Sequence, residues 1–472
     1  MKIKLLIMFV LSFVISTAQD KKPDFTDAFR VIDNWVQAQV DYEKIPSVSI
    51  AIVKDQETIW AKAYGYANRE GKVQATPATV YSICSISKLF TSIAIMQLYE
   101  QGKLRLDDSV AALLPAFKIK QQYQDSGPIT VRSLLTHSSG LPRESNHPYW
   151  SAPEFSFPTG KEVNEGLPKQ ETLYRASERF QYSNLGMTLL GEIVAEVSGT
   201  PYDAYVEKNI LQPLRLSATQ PRLPANEWGK KLSVGYSAIK RDGSRDQVKL
   251  FDAKGIAAAA GYSSTVEDLA RFASWQFRLL ETGDKEILSA STLREMHRVH
   301  WVDPDRGTHW GLGFSTSRVD GTNMVGHGGS CPGYRTTLTM DTKNKWAFVA
   351  MINAGGESPE RFTREIRNII LAAEKAKEEK PASVKLEDYA GTYDAQPWGS
   401  EEIVLPWYGK LAMINLPTNS PKDAMTLLKH VKDDTFKRLR DDDTEAETVT
   451  FGRDASGKVV QYVQHNQIVR KR

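Results

Sequence analysis

The sequence predicts an α/β (α+β) body followed by a small antiparallel β domain, on three observations. First, Val48, Ile50 and Ile52 alternate with small residues, the period-two pattern of a strand against a core. Second, residues 25–41, 81–98, 187–198 and 360–373 carry apolar residues at helical spacing or as long apolar runs. Third, helical patterns cease beyond residue 384, leaving short β-type runs at 403–405, 411–416, 425–430, 448–451 and 459–464, separated by turns such as Ala455-Ser456-Gly457.

The chain begins with a basic start, an apolar run and a small-residue end over residues 1–18. This pattern predicts a signal peptide cut near Ala18 and a periplasmic or secreted protein in a compartment that permits disulfides. The apolar run is shorter than the ~20 residues a spanning helix needs, and no cysteine follows it to take a lipid. At 472 residues, 41% hydrophobic and 25% charged, the composition is that of a globular protein of two or more domains. The net charge of +3 falls further when Lys2 and Lys4 leave with the leader. Nothing in it points to nucleic acid or an anionic membrane as partner.

Taken in order, Phe29, Ile32, Trp35, Val36 and Val40 define an amphipathic first helix. Residues 47–53 and 58–64 form a hairpin around Lys54-Asp55-Gln56. Residues 129–142 read as a short helix closed by Gly140 and Pro142. The irregular stretch after it holds Pro148, Tyr149, Trp150, Pro153, Phe155, Phe157 and Pro158. It forms either a wall of a substrate cleft or a surface loop packed on its own aromatics. Tyr182 and Asn184 lie two apart in a turn before the helix 187–198, so they can point into one space. A further helix spans 203–213, and one capped by Ser264 or Thr265 carries Leu269, Phe272 and Trp275. Residues 310–353 read as three antiparallel strands with adjacent glycines at 328 and 329, where a backbone or a ligand can approach closely. Ser358-Pro359 opens a last helix. The domain plan is thus 25–373 for the body, 374–384 for a charged linker and 385–472 for the β domain.

Ser85-Ile86-Ser87-Lys88 opens the apolar helix, and Ser85 and Lys88, three apart, share a face. A serine hydroxyl attacks poorly unless a neighbouring base takes its proton. A free lysine, with a pKa of ~10.4, is charged at neutral pH, but burial in an apolar helix strips that charge and makes it such a base. The same letters on a surface helix would be inert; the apolar run after Lys88 argues against that. Other chemistries lack their patterns. There is no GxSxG elbow. His297, His300 and His309 come without an HxHxD or HExxH frame for zinc, and no Gly-rich loop would cradle a cofactor's phosphates. Cys84 is a poor nucleophile candidate, having no placed base.

Three ordered blocks, Ser85-Ile86-Ser87-Lys88, Tyr182-Ser183-Asn184 and His327-Gly328-Gly329, resemble the serine β-lactamase and penicillin-binding protein superfamily. The YxN form, with His137-Ser138-Ser139-Gly140-Leu141-Pro142, looks more like its class C β-lactamase, D-aminopeptidase and esterase branch. The resemblance covers about residues 25–373. It implies an antiparallel sheet flanked by helices plus an all-helical subdomain, and the tail resembles an appended lipocalin-like β-barrel. It also implies a hydrolase working through an acyl-enzyme. Ser85 would be nucleophile and Lys88 its base partner. Tyr182 would be a phenolate-type base or proton shuttle with its pKa lowered by Lys88. Asn184 would hold the substrate's amide side chain. His327 stands where many relatives have a lysine, and histidine is charged only below about pH 6.5. That shifts the expectation from carboxylate-bearing β-lactams toward esters or neutral-ended peptides. The N–H groups of Ser85 and Ser330 would form the oxyanion hole, on the strand edge that Gly328 and Gly329 keep open; one such donor is worth ~10²–10³ in rate. By likeness to certain class A carbapenemases, Cys84 and Cys331 would pair beside the site, against the alternative of two buried thiols. The expected partner is a small ester, peptide or β-lactam. A penicillin-recognising DD-carboxypeptidase or β-lactamase, and a binding protein that kept the fold without turnover, are the competing readings.

Overall fold

The structure is a computed structural model that describes residues 24–303, 307–376 and 383–472. The predicted leader and residues 377–382 of the predicted linker lie outside the described residues.

Helix α1 (Thr26–Tyr42) turns Val31, Ile32, Trp35 and Val36 inward, as its periodicity requires. The strands β1 (Ser47–Lys54), β2 (Glu57–Asn68) and β3 (Val73–Gln74) follow. Two short strands, β4 (Tyr81–Ser82) and β5 (Ser263–Ser264), pair with each other at the mouth of the buried helix α2 (Ser87–Glu100). Strands β6 (Trp301–Asp303), β7 (Thr308–Trp310), β8 (Ser315–Val319), β9 (Thr322–Cys331), β10 (Tyr334–Asp341) and β11 (Trp346–Ile352) complete a nine-stranded sheet. Its order is β3-β2-β1-β11-β10-β9-β8-β7-β6, so the first and last long strands lie side by side, antiparallel.

The sheet has two buried faces, and the alternation of β1 and β11 divides them. Ala51, Val53, Val349 and Met351 face α2 and the helices Asn184–Ser198 and Val266–Thr282. Ile50, Ile52, Phe348 and Ile352 face α1 and the helix Pro359–Lys375. The helix predicted over 129–142 is only Val131–Leu135. Thr136 turns its hydroxyl back onto Arg132 O, and His137, at φ 55°, leaves the helical region.

The tail closes into an antiparallel barrel of eight strands, β12 (Gly391–Asp394), β13 (Glu401–Trp407), β14 (Lys410–Leu416), β15 (Met425–Lys432), β16 (Thr435–Leu439), β17 (Glu445–Arg453), β18 (Val459–Gln464) and β19 (Gln467–Lys471). Its interior is filled by Tyr389, Tyr393, Leu411, Phe436, Phe451 and Tyr462 among others, as expected of a small barrel. On its outer face, Ile403, Leu405, Trp407, Ala412 and Ile414 join the core formed by α1 and the helix Pro359–Lys375. Polar ties fix this contact. Trp35 Nε1–H donates to Thr418 O at 2.8 Å, the Tyr408 N–H donates to Asp27 at 2.8 Å, and Arg361 Nη1 donates to Asn419 Oδ1 at 2.6 Å. The barrel therefore sits behind the sheet, on the face opposite α2.

Candidate active site

The nucleophile turn is held from three sides. Tyr81 and Ser82 pair with Ser264 and Ser263, and the Ile83 N–H donates to Tyr262 O at 2.9 Å. Cys84 then adopts φ 50°, a left-handed conformation uncommon outside glycine, and begins a single 3₁₀ turn, Cys84–Ile86, that leads into α2. A disulfide joins Cys84 to Cys331 at the end of β9, with Cα atoms 5.7 Å apart, so the pairing implied by the resemblance is present. A Cβ on Gly329 would lie 2.3 Å from Ile83 O, which is why β9 carries glycine where it presses on this turn. From Gly328 a Cβ would point at Glu360 Oε1, 3.0 Å away. These two glycines act as spacers on opposite faces of the strand, and Ser330 lines the cleft with Ser85.

Lys88 is fully buried and its Nζ has three neighbours: Ser85 Oγ at 3.1 Å, Asn184 Oδ1 at 2.8 Å and Ala259 O at 2.7 Å. Burial holds its pKa well below the ordinary lysine value; Arg143 lowers it further and Glu144 opposes.

Tyr182 lies beside Ser85. Its ring is caged by the His137 ring at 4.3 Å between centroids, Lys88 Nζ at 4.8 Å, Arg143 Cζ at 4.9 Å and Trp310 at 6.1 Å. The expectation that Lys88 lowers its pKa is corrected here. Burial of the phenol raises it above the ordinary value, and the Ser85 hydroxyl and the Arg143 guanidinium offset only part of that rise.

Asn184 lines the cleft beside Ser85. Its Oδ1 accepts from Lys88 and its Nδ2 donates to Glu144 Oε1 at 2.7 Å, so the buried amide is engaged at both ends by the protein. Ser183 caps the Asn184–Ser198 helix, accepting from the Gly186 N–H at 2.8 Å and donating to Pro142 O at 2.7 Å. The Asn184 N–H donates to Arg143 O at 2.8 Å. The segment after Gly140 is thus laced onto the Tyr182 turn, and this lacing brings Glu144 to the site. Glu144 is further bound by Tyr149 Oη–H and by Arg143 Nε at 3.2 Å.

His327 is buried, and burial, reinforced by Lys88, depresses its pKa to about 3. It is uncharged at neutral pH and does not replace a lysine's charge. Its Nδ1–H donates to Gly328 O at 2.5 Å, leaving Nε2 as a buried acceptor with no partner among the described residues. His137 is its complement. Its Nδ1 accepts from the Ser183 N–H at 3.2 Å, so its unpartnered Nε2 carries the proton. Elsewhere, His297 donates from Nε2 to Gln276 Oε1 at 2.9 Å and packs on Phe314.

The cleft above Ser85 has a volume of about 450 Å³ and is walled by Arg143, Glu144, Trp150, Phe155, Ser330 and Arg335. The Pro- and aromatic-rich stretch thus contributes a wall, with Trp150, Phe157 and Phe251 packed edge-to-face or stacked behind it. Glu144, His137 and Arg335 were given no role from sequence. The first two flank the Gly140-Leu141-Pro142 turn, whose proximity to a Tyr-x-Asn block is the signal that finds them.

Residues 32–373 match the family model described as Beta-lactamase. Protein flp of Staphylococcus aureus (strain NCTC 8325 / PS 47) is 26% identical over 351 residues, covering 73% of this chain and 67% of that protein. A putative D-alanyl-D-alanine carboxypeptidase of Escherichia coli (strain K12) is 28% identical over 326 residues, covering 63% of this chain and 75% of that protein. Among solved structures, the octameric penicillin-binding protein homologue from Pyrococcus abyssi is similar with a TM-score of 0.64 and 26% identity, over 94% of this chain and 100% of that one.

Proposed function

The chain belongs to the Beta-lactamase family, and we propose that it is an exported serine hydrolase that cleaves an ester or amide through an acyl-enzyme on Ser85. The observation that carries this reading is the buried Lys88 amine 3.1 Å from Ser85 Oγ, its pKa held well below the ordinary lysine value by burial. In the proposed reaction Lys88 takes the Ser85 proton as Oγ attacks the carbonyl carbon. The N–H groups of Ser85 and Ser330 hold the oxyanion. Tyr182, as a neutral phenol, relays a proton to the departing alcohol or amine, and water then releases the acyl group. Export is supported by the leader-like start and by a disulfide suited to an oxidising compartment.

A penicillin-recognising peptidase is the second reading, and Arg335 favours it. This cleft-lining guanidinium is anchored through Nη1 on Cys331 O and Tyr334 O, and no carboxylate among the described residues pairs with it in a salt bridge. It offers a substrate carboxylate the cation that His327 does not.

A fluorophosphonate probe tests the common core. Stoichiometric labelling of the wild type, abolished in Ser85→Ala, is the expected result; no labelling of either leaves a binding protein. Turnover of a p-nitrophenyl ester against that of a chromogenic cephalosporin and a D-alanyl peptide then separates esterase from β-lactamase and carboxypeptidase.

A further inference from the structure

We infer that Glu144 is a positioning residue that decides which end of the Asn184 amide faces Lys88, and so aims the Lys88 lone pair at Ser85. The inference rests on the acyl-enzyme reading above. A neutral lysine amine has two N–H groups and one lone pair. Two of its three neighbours, Asn184 Oδ1 and Ala259 O, are carbonyl oxygens that can only accept. They take both N–H groups and leave the lone pair directed at the third neighbour, the Ser85 hydroxyl.

The arrangement fails if the amide turns over. Asn184 would then present N–H to Lys88, occupy its lone pair and quench the base. An amide at this position is free to choose either orientation unless something on its far side accepts hydrogen bonds and never donates them. Glu144 is that group. Its ionised carboxylate accepts from Asn184 Nδ2 at 2.7 Å and cannot donate, so only one amide orientation satisfies both neighbours. Glu144 is itself fixed, with Arg143 Nε on Oε1 at 3.2 Å and the Tyr149 hydroxyl on Oε2. The order of polarity, carboxylate to amide to amine to hydroxyl, runs one way from Glu144 to Ser85.

The test measures the rate of fluorophosphonate labelling of Ser85 against pH in the full-length chain, for wild type, E144Q and the double variant N184D/E144Q. The side chain introduced by E144Q can donate as well as accept, so this variant admits both orientations of the Asn184 amide. Its alkaline plateau is expected to fall roughly tenfold, the worth of one well-placed hydrogen bond. Its acid limb is expected to move to lower pH, because a negative charge that favours the lysine cation is gone. In N184D/E144Q the polarity is unambiguous again. The new carboxylate can only accept from Lys88, and the new amide behind it donates to that carboxylate. The double variant is expected to regain most of the plateau, with its acid limb moved to higher pH by a carboxylate now adjacent to the amine. A residue that only supports the loop would not give opposite shifts of the acid limb, nor rescue by a second substitution. Wild-type rate and limb in E144Q, or a double variant slower than E144Q across the pH range, overturns the inference and leaves the acyl-enzyme reading standing. Absence of labelling in the wild type overturns both.

Discussion

The body and the barrel each enclose a space, and they treat it in opposite ways. The body keeps a cleft of about 450 Å³ open and lines it with Ser85, Glu144, Arg143 and Arg335. It also buries charged-type groups behind that cleft, at the expense of stability: Lys88 and His327 are both forced toward their neutral forms. The barrel fills its interior with Tyr389, Phe436, Phe451 and Tyr462, whose rings meet at 4.8 to 5.9 Å. The body thus gathers polar side chains around an open cleft, and the barrel packs aromatic rings against one another. The barrel's apolar outer face continues the core behind the sheet, away from α2 and the nucleophile.

Three substitutions sharpen or break this contrast, beyond those at Ser85 and Glu144. Lys88→Met should have the largest effect: it removes the base and lowers the labelling rate of Ser85 by at least ~10³-fold, with circular dichroism unchanged. A rate within tenfold of wild type would mean that the buried amine is only structural. His327→Gln should act mainly on acid stability. A histidine held at about 3 in the folded chain and near 6.5 when unfolded binds more protons unfolded, so stability falls as pH drops from 6.5 toward 3. Thermal melts across that window should show a smaller loss for His327→Gln than for wild type, while the rate profile gains no inflection near pH 6.5. An equal loss would mean that His327 is already charged in the fold. Phe436→Ala should do least to the chemistry. It opens a cavity worth ~3–5 kcal/mol of barrel stability, seen as an early melting transition, and leaves kcat/KM unchanged. A fall in kcat/KM below that transition would show that the barrel reaches the cleft after all.

Much of this was legible from the chain. The strand β1 follows from its alternation, β10 and β11 from two β-type runs around Lys343-Asn344, and α1 from its apolar stripe. Ser85, Lys88, Tyr182 and His327 stand in recognisable blocks, and the structure gathers them around one pocket. What escaped depended on partners far apart in sequence. Tyr182 looks acidified if only the basic residues around it are counted, and its own burial outweighs them. Glu144 is brought against Asn184 by hydrogen bonds from Asn184 N–H and Ser183 to the Pro142–Arg143 backbone, a tie no local pattern announces. In the barrel, β12, β16 and β19 were missed. Segments such as Thr435–Leu439 are short and interleaved with lysine and arginine, and they contribute one or two inward side chains each, too few to make a period. Closure of the ring, rather than local pattern, makes them strands.

The caged ring of Tyr182 has one more implication. Hemmed by an imidazole, an indole, an amine and a guanidinium, it gave up its torsional freedom when the chain folded. A freely swinging phenol would have to be frozen at every turnover before it could hand on a proton. In the proposed relay that entropy is already gone when a substrate arrives, so ordering the phenol adds nothing to the barrier.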